Sequence, residues 1–439
     1  MTPRIGRPSR TSGSPGTAAT AATWTPAKWE AAPSSSPSRR GRAQRAPMAS
    51  SRRFSMKAIW SMAGVLLVAS LALGQEEVRS TPAQVRIDQA RSAIEKHPEH
   101  PQAYNDLALA LARRARETGD PSLYEQAEAA LRKSFRLQPG NFEGLKVQSW
   151  LLLGKHEFAK ARELARELNR RSPDDVLVYG YLADANAELG NYEEAEAAAQ
   201  WMLDLRPGNI PGLTRAAYLR ELYGDIEGAL ELMRKAYDRT DPSELEDRAW
   251  LLTQLGHLHL VIGEQREAES ALTEALRLFP GYHYALGTLG TLRMEQQRWK
   301  EAVELLEQRY AAAPHPENLY PLAQALERAG RPREALKAFR DFERQALRES
   351  EGADNANREL IFYYIEHANK PAQALRLAER EAARRQDVHT LDAYAWALHA
   401  NGRDREARAQ LERVQKVGSR DPLFQSHARA IPAGKEVSG

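Results

Sequence analysis

Apolar positions along this chain recur on two cycles, a short one and a long one. On the short cycle they fall three or four residues apart, as in Leu252 and Leu255 or Ala268, Leu272 and Ala275. That is the spacing of one face of an α-helix. On the long cycle Ala127, Ala161, Ala195 and Ala229 stand 34 residues apart, and so do Pro139, Pro173 and Pro207. No alternating β-branched run after residue 80 argues for a strand. A fixed period of this size implies one helix–turn–helix unit stacked many times, each leaving an apolar face for the next to cover.

Nine units can be phased. The clearest runs Tyr179, Leu182 and Ala183 on a first helix, Gly190 at a turn, Ala195, Ala199 and Met202 on a second helix, and Pro207. Two others repeat it closely: Leu252, Leu255, Gly256, Gly263, Ala268, Leu272, Ala275 and Pro280, then Leu286, Leu289, Gly290, Trp299, Ala302, Leu306 and Pro314. The small residue after the second leucine lets two helix axes approach. Proline after the second helix cannot continue it, because it lacks an N–H and clashes with the preceding turn. Glycine at the turn supplies a left-handed conformation at little cost. Two breaks interrupt the phase, at residues 241–247 and 349–357, and either could be a hinge. Ile87, Ala90, Ala93, Ile94 and Pro98 read as an orphan helix before the stack, and residues 422–430 as a covering helix after it. Terminal units need such caps to hide the last apolar face.

This arrangement resembles the tetratricopeptide repeat family. That pattern has large residues at positions 4, 7 and 11 of the first helix and a small one at 8. The second helix carries alanines at 20 and 27 and an apolar residue at 24. The resemblance implies an all-α fold, an α-solenoid of about nine stacked repeats forming a right-handed superhelix. The expected organisation is repeats 1–4 over residues 99–242, repeats 5–7 over 243–348 and repeats 8–9 over 349–418. A linker and capping helix would occupy 75–98, and a capping helix and tail 419–439.

Composition changes the picture mainly at the N-terminus. Residues 1–74 carry 11 Lys/Arg and one acid, Glu30, out of totals of 62 and 59, so the remainder holds 51 basic and 58 acidic groups. The rest of the chain is therefore mildly acidic, without the basic face that a nucleic-acid partner needs. Residues 1–47 have no Leu or Val and read as a disordered extension to residue 55, with translation expected to start at Met48 or Met56. Arg52, Arg53 and Lys57 precede an apolar run, Ala58 to Leu73, and Ala72, Leu73 and Gly74 offer a cleavage site. This is the layout of a secretory signal peptide with its apolar core at 56–74. It is short for a spanning helix, which needs about 20 apolar residues. Export to the periplasm or cell surface is expected, with an uncleaved inner-membrane anchor as the alternative. There is no cysteine, which excludes disulfides and thiolate chemistry.

No catalytic or metal-binding motif stands out, so no enzyme activity, cofactor or metal is expected. His257 and His259, two apart on a helix, do not share a face. The functional signal lies on the inner face. In the tetratricopeptide family the first helix lines the concave surface with positions 2, 5, 6, 9, 12 and 13. By phase these include Trp150, Tyr181, Asp184, Arg215, Tyr218, Trp250, His257 and Tyr284, with Trp396 further on. Aromatic residues and Arg are the usual anchors of protein interfaces. The carboxylate clamp of some family members is not matched: Lys146 stands at position 5, but Trp150 is at 9, and Gly180 and Asp184 follow. The expectation is a protein or peptide partner held in a concave groove. The alternative is a self-associating or membrane-tethered structural spacer with no fixed ligand.

Overall fold

The computed structural model describes residues 81–432, and the expectations for residues 1–80, the leader and signal segment among them, lie outside these. Among the described residues there are twenty α-helices and no strand. A first helix, α1 (Pro82–Lys96), is followed by nine antiparallel pairs. These are α2/α3 (Pro101–Thr118, Ser122–Leu137), α4/α5 (Phe142–Gly154, Phe158–Arg171), α6/α7 (Val176–Glu188, Tyr192–Leu205) and α8/α9 (Ile210–Leu222, Ile226–Arg239). Then come α10/α11 (Leu245–Val261, Gln265–Leu278), α12/α13 (His283–Glu295, Trp299–Ala312), α14/α15 (Pro316–Arg328, Pro332–Glu349), α16/α17 (Asn357–Glu366, Pro371–Arg384) and α18/α19 (Val388–Ala400, Asp404–Val417). The last helix is α20 (Pro422–Ala430). Helices α1 to α19 each pack on their chain neighbours, α20 packs on α18, and several first helices also touch the next first helix, as α2 does α4 and α10 does α12. The chain is an α-solenoid of tetratricopeptide-type repeats.

The long cycle has a packing cause. Ala127, Ala161, Ala195, Ala229, Ala268, Ala302, Ala374 and Ala407 each have 0% of their surface exposed. No larger side chain fits where the two helices of a unit cross. At position 8 the demand is as strict. A Cβ added to Gly256 would lie 2.7 Å from Leu272, and one added to Gly290 would lie 2.9 Å from Leu306. The leucine of the second helix thus sits on bare backbone of the first. Helix starts are set by Asn141, Asp175, Asn209, Asp225 and Asp387, whose side chains accept hydrogen bonds from N–H groups of the first turn.

Most turns between paired helices use a glycine with positive φ, such as Gly190 at +79° and Gly263 at +80°. Three units use another residue there: His156, Gln297 and Asn369, with φ of 56°, 57° and 50°. A left-handed non-glycine residue costs about 1–2 kcal/mol. At His156 that strain coincides with a long-range contact described below. Gly154 is not the turn residue of its unit. It ends α4, where a Cβ would lie 2.8 Å from the Tyr124 hydroxyl.

The stack does not stay open. It winds until distant units meet along two seams. On the first, the 241–247 break carries acids that face repeat 1. Arg116 donates to Glu246 and to Asp247, the latter at 2.5 Å, and Arg86 pairs with Glu244. The Arg116 carbonyl accepts from His283 Nε2 at 3.0 Å, and Gly119 abuts Ala313, where a Cβ would come within 2.5 Å. On the second seam, His156 Nδ1 meets Asp354 at 3.2 Å, and Arg385 lies 3.5 Å from Glu188. Val388 N donates to the Tyr192 hydroxyl at 2.8 Å, and Arg420 reaches Glu227 at 3.4 Å. One apolar cluster spans this seam, joining Ala195, Leu219 and Leu222 to Val388, Leu391, Val414 and Phe424. Both breaks in the repeat phase therefore contribute acids to the seams, Glu244, Glu246 and Asp247 to the first and Asp354 to the second.

Candidate functional site

The inner wall is built from the first helices of consecutive repeats. Position 9 brings Trp150 from α4, Asp184 from α6 and Tyr218 from α8 onto one face, and Arg215 and Trp250 join them from α8 and α10. These five residues line a single cavity of about 820 Å³. Sequence phase selected all five. Arg113, Arg116, His156, Phe158 and Glu188 also line it and were not selected. Phe158 opens a second helix, α5, and Arg113 and Arg116 belong to the far side of the first seam. Nothing in the sequence phase links Phe158 or Arg116 to the groove, whereas Arg113 and Glu188 stand at position 13 of their repeats, an inner-face position.

Asp184 and Arg215 form a brace between repeats 3 and 4. Arg215 Nη2 reaches Asp184 at 2.5 Å, while its Nε and Nη1 donate to the carbonyls of Gly180 and Pro211, both at 3.1 Å. Burial raises the Asp184 carboxyl above its usual range, and Arg215 only partly offsets this. The brace faces the cavity with its hydrogen-bonding capacity largely used. Tyr218 packs on the apolar cluster of the second seam, and burial holds its phenol well above the ordinary value. Trp150 packs between repeats 1, 2 and 3. Trp250 belongs to none of these clusters and is half-buried on the cavity wall, so it is the aromatic most available to a ligand.

The remaining selected residues are placed differently. Tyr181 is 9% exposed and turns into the core between repeats 2 and 3, against Phe158, Ala161 and Ala185; it lines neither cavity described here. His257 and Tyr284 line a second cavity of about 580 Å³, with Thr253, Thr288, Arg309 and Leu423. His257 bonds Glu221 at 2.8 Å, and His259 bonds Glu264 at 2.6 Å on another face. Trp396 stacks on His427 of α20 with ring centroids 4.3 Å apart, and His427 Nδ1 meets Asp392 at 2.8 Å. It fastens the last helix and takes no part in the groove. Lys146 is bound to Asp175 at 2.7 Å.

The seams and the second cavity carry buried groups whose proton affinities are shifted. Burial, followed by the Asp387 charge, raises the Glu188 carboxyl to about 7, against the pull of Arg385. Burial lowers His156 and His257, but the hydrogen bonds to Asp354 and Glu221 together with the charges of nearby acids outweigh it and raise both imidazoles. Burial drives His283 down to about 4 and, with Arg358, also lowers His389. A raised histidine stabilises the fold below its unfolded value and loses that contribution as pH rises through its folded value. A raised carboxyl acts in the same sense, because the folded state holds the proton longer. Glu188 therefore weakens the fold as pH rises from the ordinary carboxylate range to about 7, and His156 and His257 weaken it as pH rises above the ordinary imidazole value of about 6.5. A lowered histidine must be charged in the unfolded state only, so His283 and His389 weaken the fold as pH falls from about 6.5 toward 4. Thermal unfolding followed across the range should show a maximum near neutral pH, and His156→Gln should flatten the alkaline side.

Among the described residues, stacked helical pairs curved around a lined cavity define a helical-repeat scaffold. A tetratricopeptide repeat family model matches residues 147–210 and 253–317. Folds of this kind generally mediate contacts between proteins. No curated protein sequence matches the chain. Among solved structures, the Cut9 and Hcn1 hetero-tetramer of the APC/C is similar over 79% of this chain and 58% of that one, at 14% identity and a TM-score of 0.48. This chain thus spans less than two thirds of that relative's length. A human IFIT1 dimer with PPP-AAAA covers 76% of this chain and 95% of that one, at 13% identity and a TM-score of 0.44. PilW, a type IV pilus biogenesis factor, covers 46% and 93%, at 13% identity and a TM-score of 0.40.

Proposed function

We propose that this chain is a non-enzymatic scaffold that holds a segment of a protein or peptide in its inner cavity, as an exported adaptor or assembly factor. The observation that carries the reading is the 820 Å³ cavity, where Trp150, Tyr218 and Trp250 converge beside the Asp184–Arg215 brace. Aromatic anchors in a partly enclosed, partly dry site are what a peptide hot spot requires. Export rests on the basic stretch and apolar run before Gln75, with a retained inner-membrane anchor as its alternative. Among the described residues no helix is long and apolar enough to cross a membrane.

Trp250→Ala gives the cleanest test, since Tyr218 also supports the second seam. A pull-down from the native envelope fraction, with the full chain as bait, should yield one stoichiometric partner. Trp250→Ala should weaken that partner's affinity by about 2 kcal/mol, roughly thirtyfold, at unchanged melting temperature. Unchanged affinity would remove the cavity from the account. N-terminal sequencing of the mature protein decides between cleaved and anchored forms.

A further inference from the structure

The second cavity contains a cation without a partner. Arg309, near the end of α13, crosses toward the inner wall over Gly287 at position 5 of α12, where a Cβ would lie 2.8 Å from the guanidinium. The bare backbone of Gly287 leaves the gap through which the side chain reaches the cavity, which it lines. Among the described residues the Arg309 side chain makes no hydrogen bond and no ion pair, and its Nε is fully buried. Burial lowers its proton affinity, and Glu317, Glu359 and Tyr284 only partly offset this, none of them within ion-pair distance. Tyr284 lies on the same wall and is 36% exposed, so its hydroxyl is open to a ligand.

Repeat 3 shows what is missing. There Arg215 lies over Gly180, also at position 5, and its charge is met by Asp184 at position 9. In repeat 6 position 9 is Thr291, whose hydroxyl donates to the Gly287 carbonyl and brings no negative charge. A half-buried guanidinium left in this state is costly, and a carboxylate is the group that matches its planar fork. Glu295 and Asp421 also line this cavity. Glu295 lies two turns along α12 from Gly287, roughly 12 Å away, so its charge does not meet the guanidinium, and Asp421 forms no ion pair with it among the described residues.

We propose that the second cavity binds a carboxylate of the partner segment, held by Arg309 with the Tyr284 hydroxyl, in the place that Asp184 fills in repeat 3. This rests on the reading that the inner wall binds a peptide. The probes are three fluorescein-labelled dodecapeptide pools measured against the full chain. One has Glu at a fixed internal position and an amidated C-terminus, the second has Gln there, and the third has Gln there with a free C-terminus. Either the Glu pool or the free-terminus pool should bind about tenfold or more tightly than the amidated Gln pool, and which one does so identifies the source of the carboxylate. Arg309→Met should abolish the preference, bringing the favoured carboxylate pool down to the level of the amidated Gln pool, and Arg309→Lys should keep part of it. Arg309→Met should also raise the melting temperature of the free protein, because it removes an uncompensated charge. Equal binding of all pools that is still lost in Trp250→Ala would overturn the carboxylate and leave the groove. No binding by any pool would overturn both. A lower melting temperature in Arg309→Met would show that the guanidinium has a structural partner, and would also overturn the proposal.

Discussion

Replacing Gly190 with valine will part the second seam without unfolding the repeats on either side. The backbone there has φ of +79°, and a Cβ would lie 2.4 Å from the Gln386 carbonyl oxygen and 2.7 Å from its carbon. Neither atom is the end of a flexible side chain, so the two segments must separate. Gly263 supplies the matched control. Its φ is +80°, but no atom lies within 4 Å of an added Cβ. Gly263→Val therefore carries the backbone strain alone, about 1–2 kcal/mol. Gly190→Val adds the clash, another 1–3 kcal/mol if it is fully resisted. The expected result is a larger hydrodynamic radius and rapid hydrogen exchange at the Val388 N–H, which now donates to Tyr192. Helix content should match that of Gly263→Val.

Loss of Arg116 will be the most damaging single truncation on the first seam. Its guanidinium serves Glu246 and Asp247, and although burial opposes its charge, Glu246, Tyr282 and Asp247 together hold its proton affinity above the ordinary value. The Glu246 side chain is 7% exposed and would keep only the Tyr282 hydroxyl, at 2.6 Å. A buried carboxylate stripped of its cation costs about 3–5 kcal/mol. Arg116→Met should destabilise by that amount in denaturant titration. Pairing it with Glu246→Gln should recover most of the loss, because the charge that lacked a partner is gone. Equal losses in the single and double variants would mean that the ion pair does not hold the seam.

The repeat itself was plain in the sequence, because its cause is local. A buried alanine where two helices cross, or a glycine under a leucine, is required in every unit and so recurs at fixed spacing. The same phase brought Trp150, Asp184, Arg215, Tyr218 and Trp250 into one cavity, since equivalent positions of stacked helices share a wall. It misplaced Tyr181, because position 6 lies at the border of the wall and Phe158 from the preceding repeat covers it. It also misplaced Trp396, whose face is taken by α20. The seams were not legible. Glu227 and Arg420 are 193 positions apart, and they meet only through rotation accumulated over several repeats. The breaks that contribute Glu246 and Asp354 interrupt the pattern, so the periodic signal is silent for that part of the closure. Arg309 escaped notice for a related reason: it belongs to a second helix and reaches the wall only because Gly287 has no side chain.

The closed superhelix is tested most directly by a crosslink across the second seam. The chain has no cysteine, so Glu227→Cys with Arg420→Cys introduces the only two thiols. A short bis-maleimide, applied to dilute protein, should join them within one molecule in near-quantitative yield and shift its mobility in a denaturing gel. Gly190→Val in the same background should suppress the product. Two independent adducts with no internal crosslink would mean that the superhelix stands open in solution, and its inner cavity would then be a groove accessible from the side.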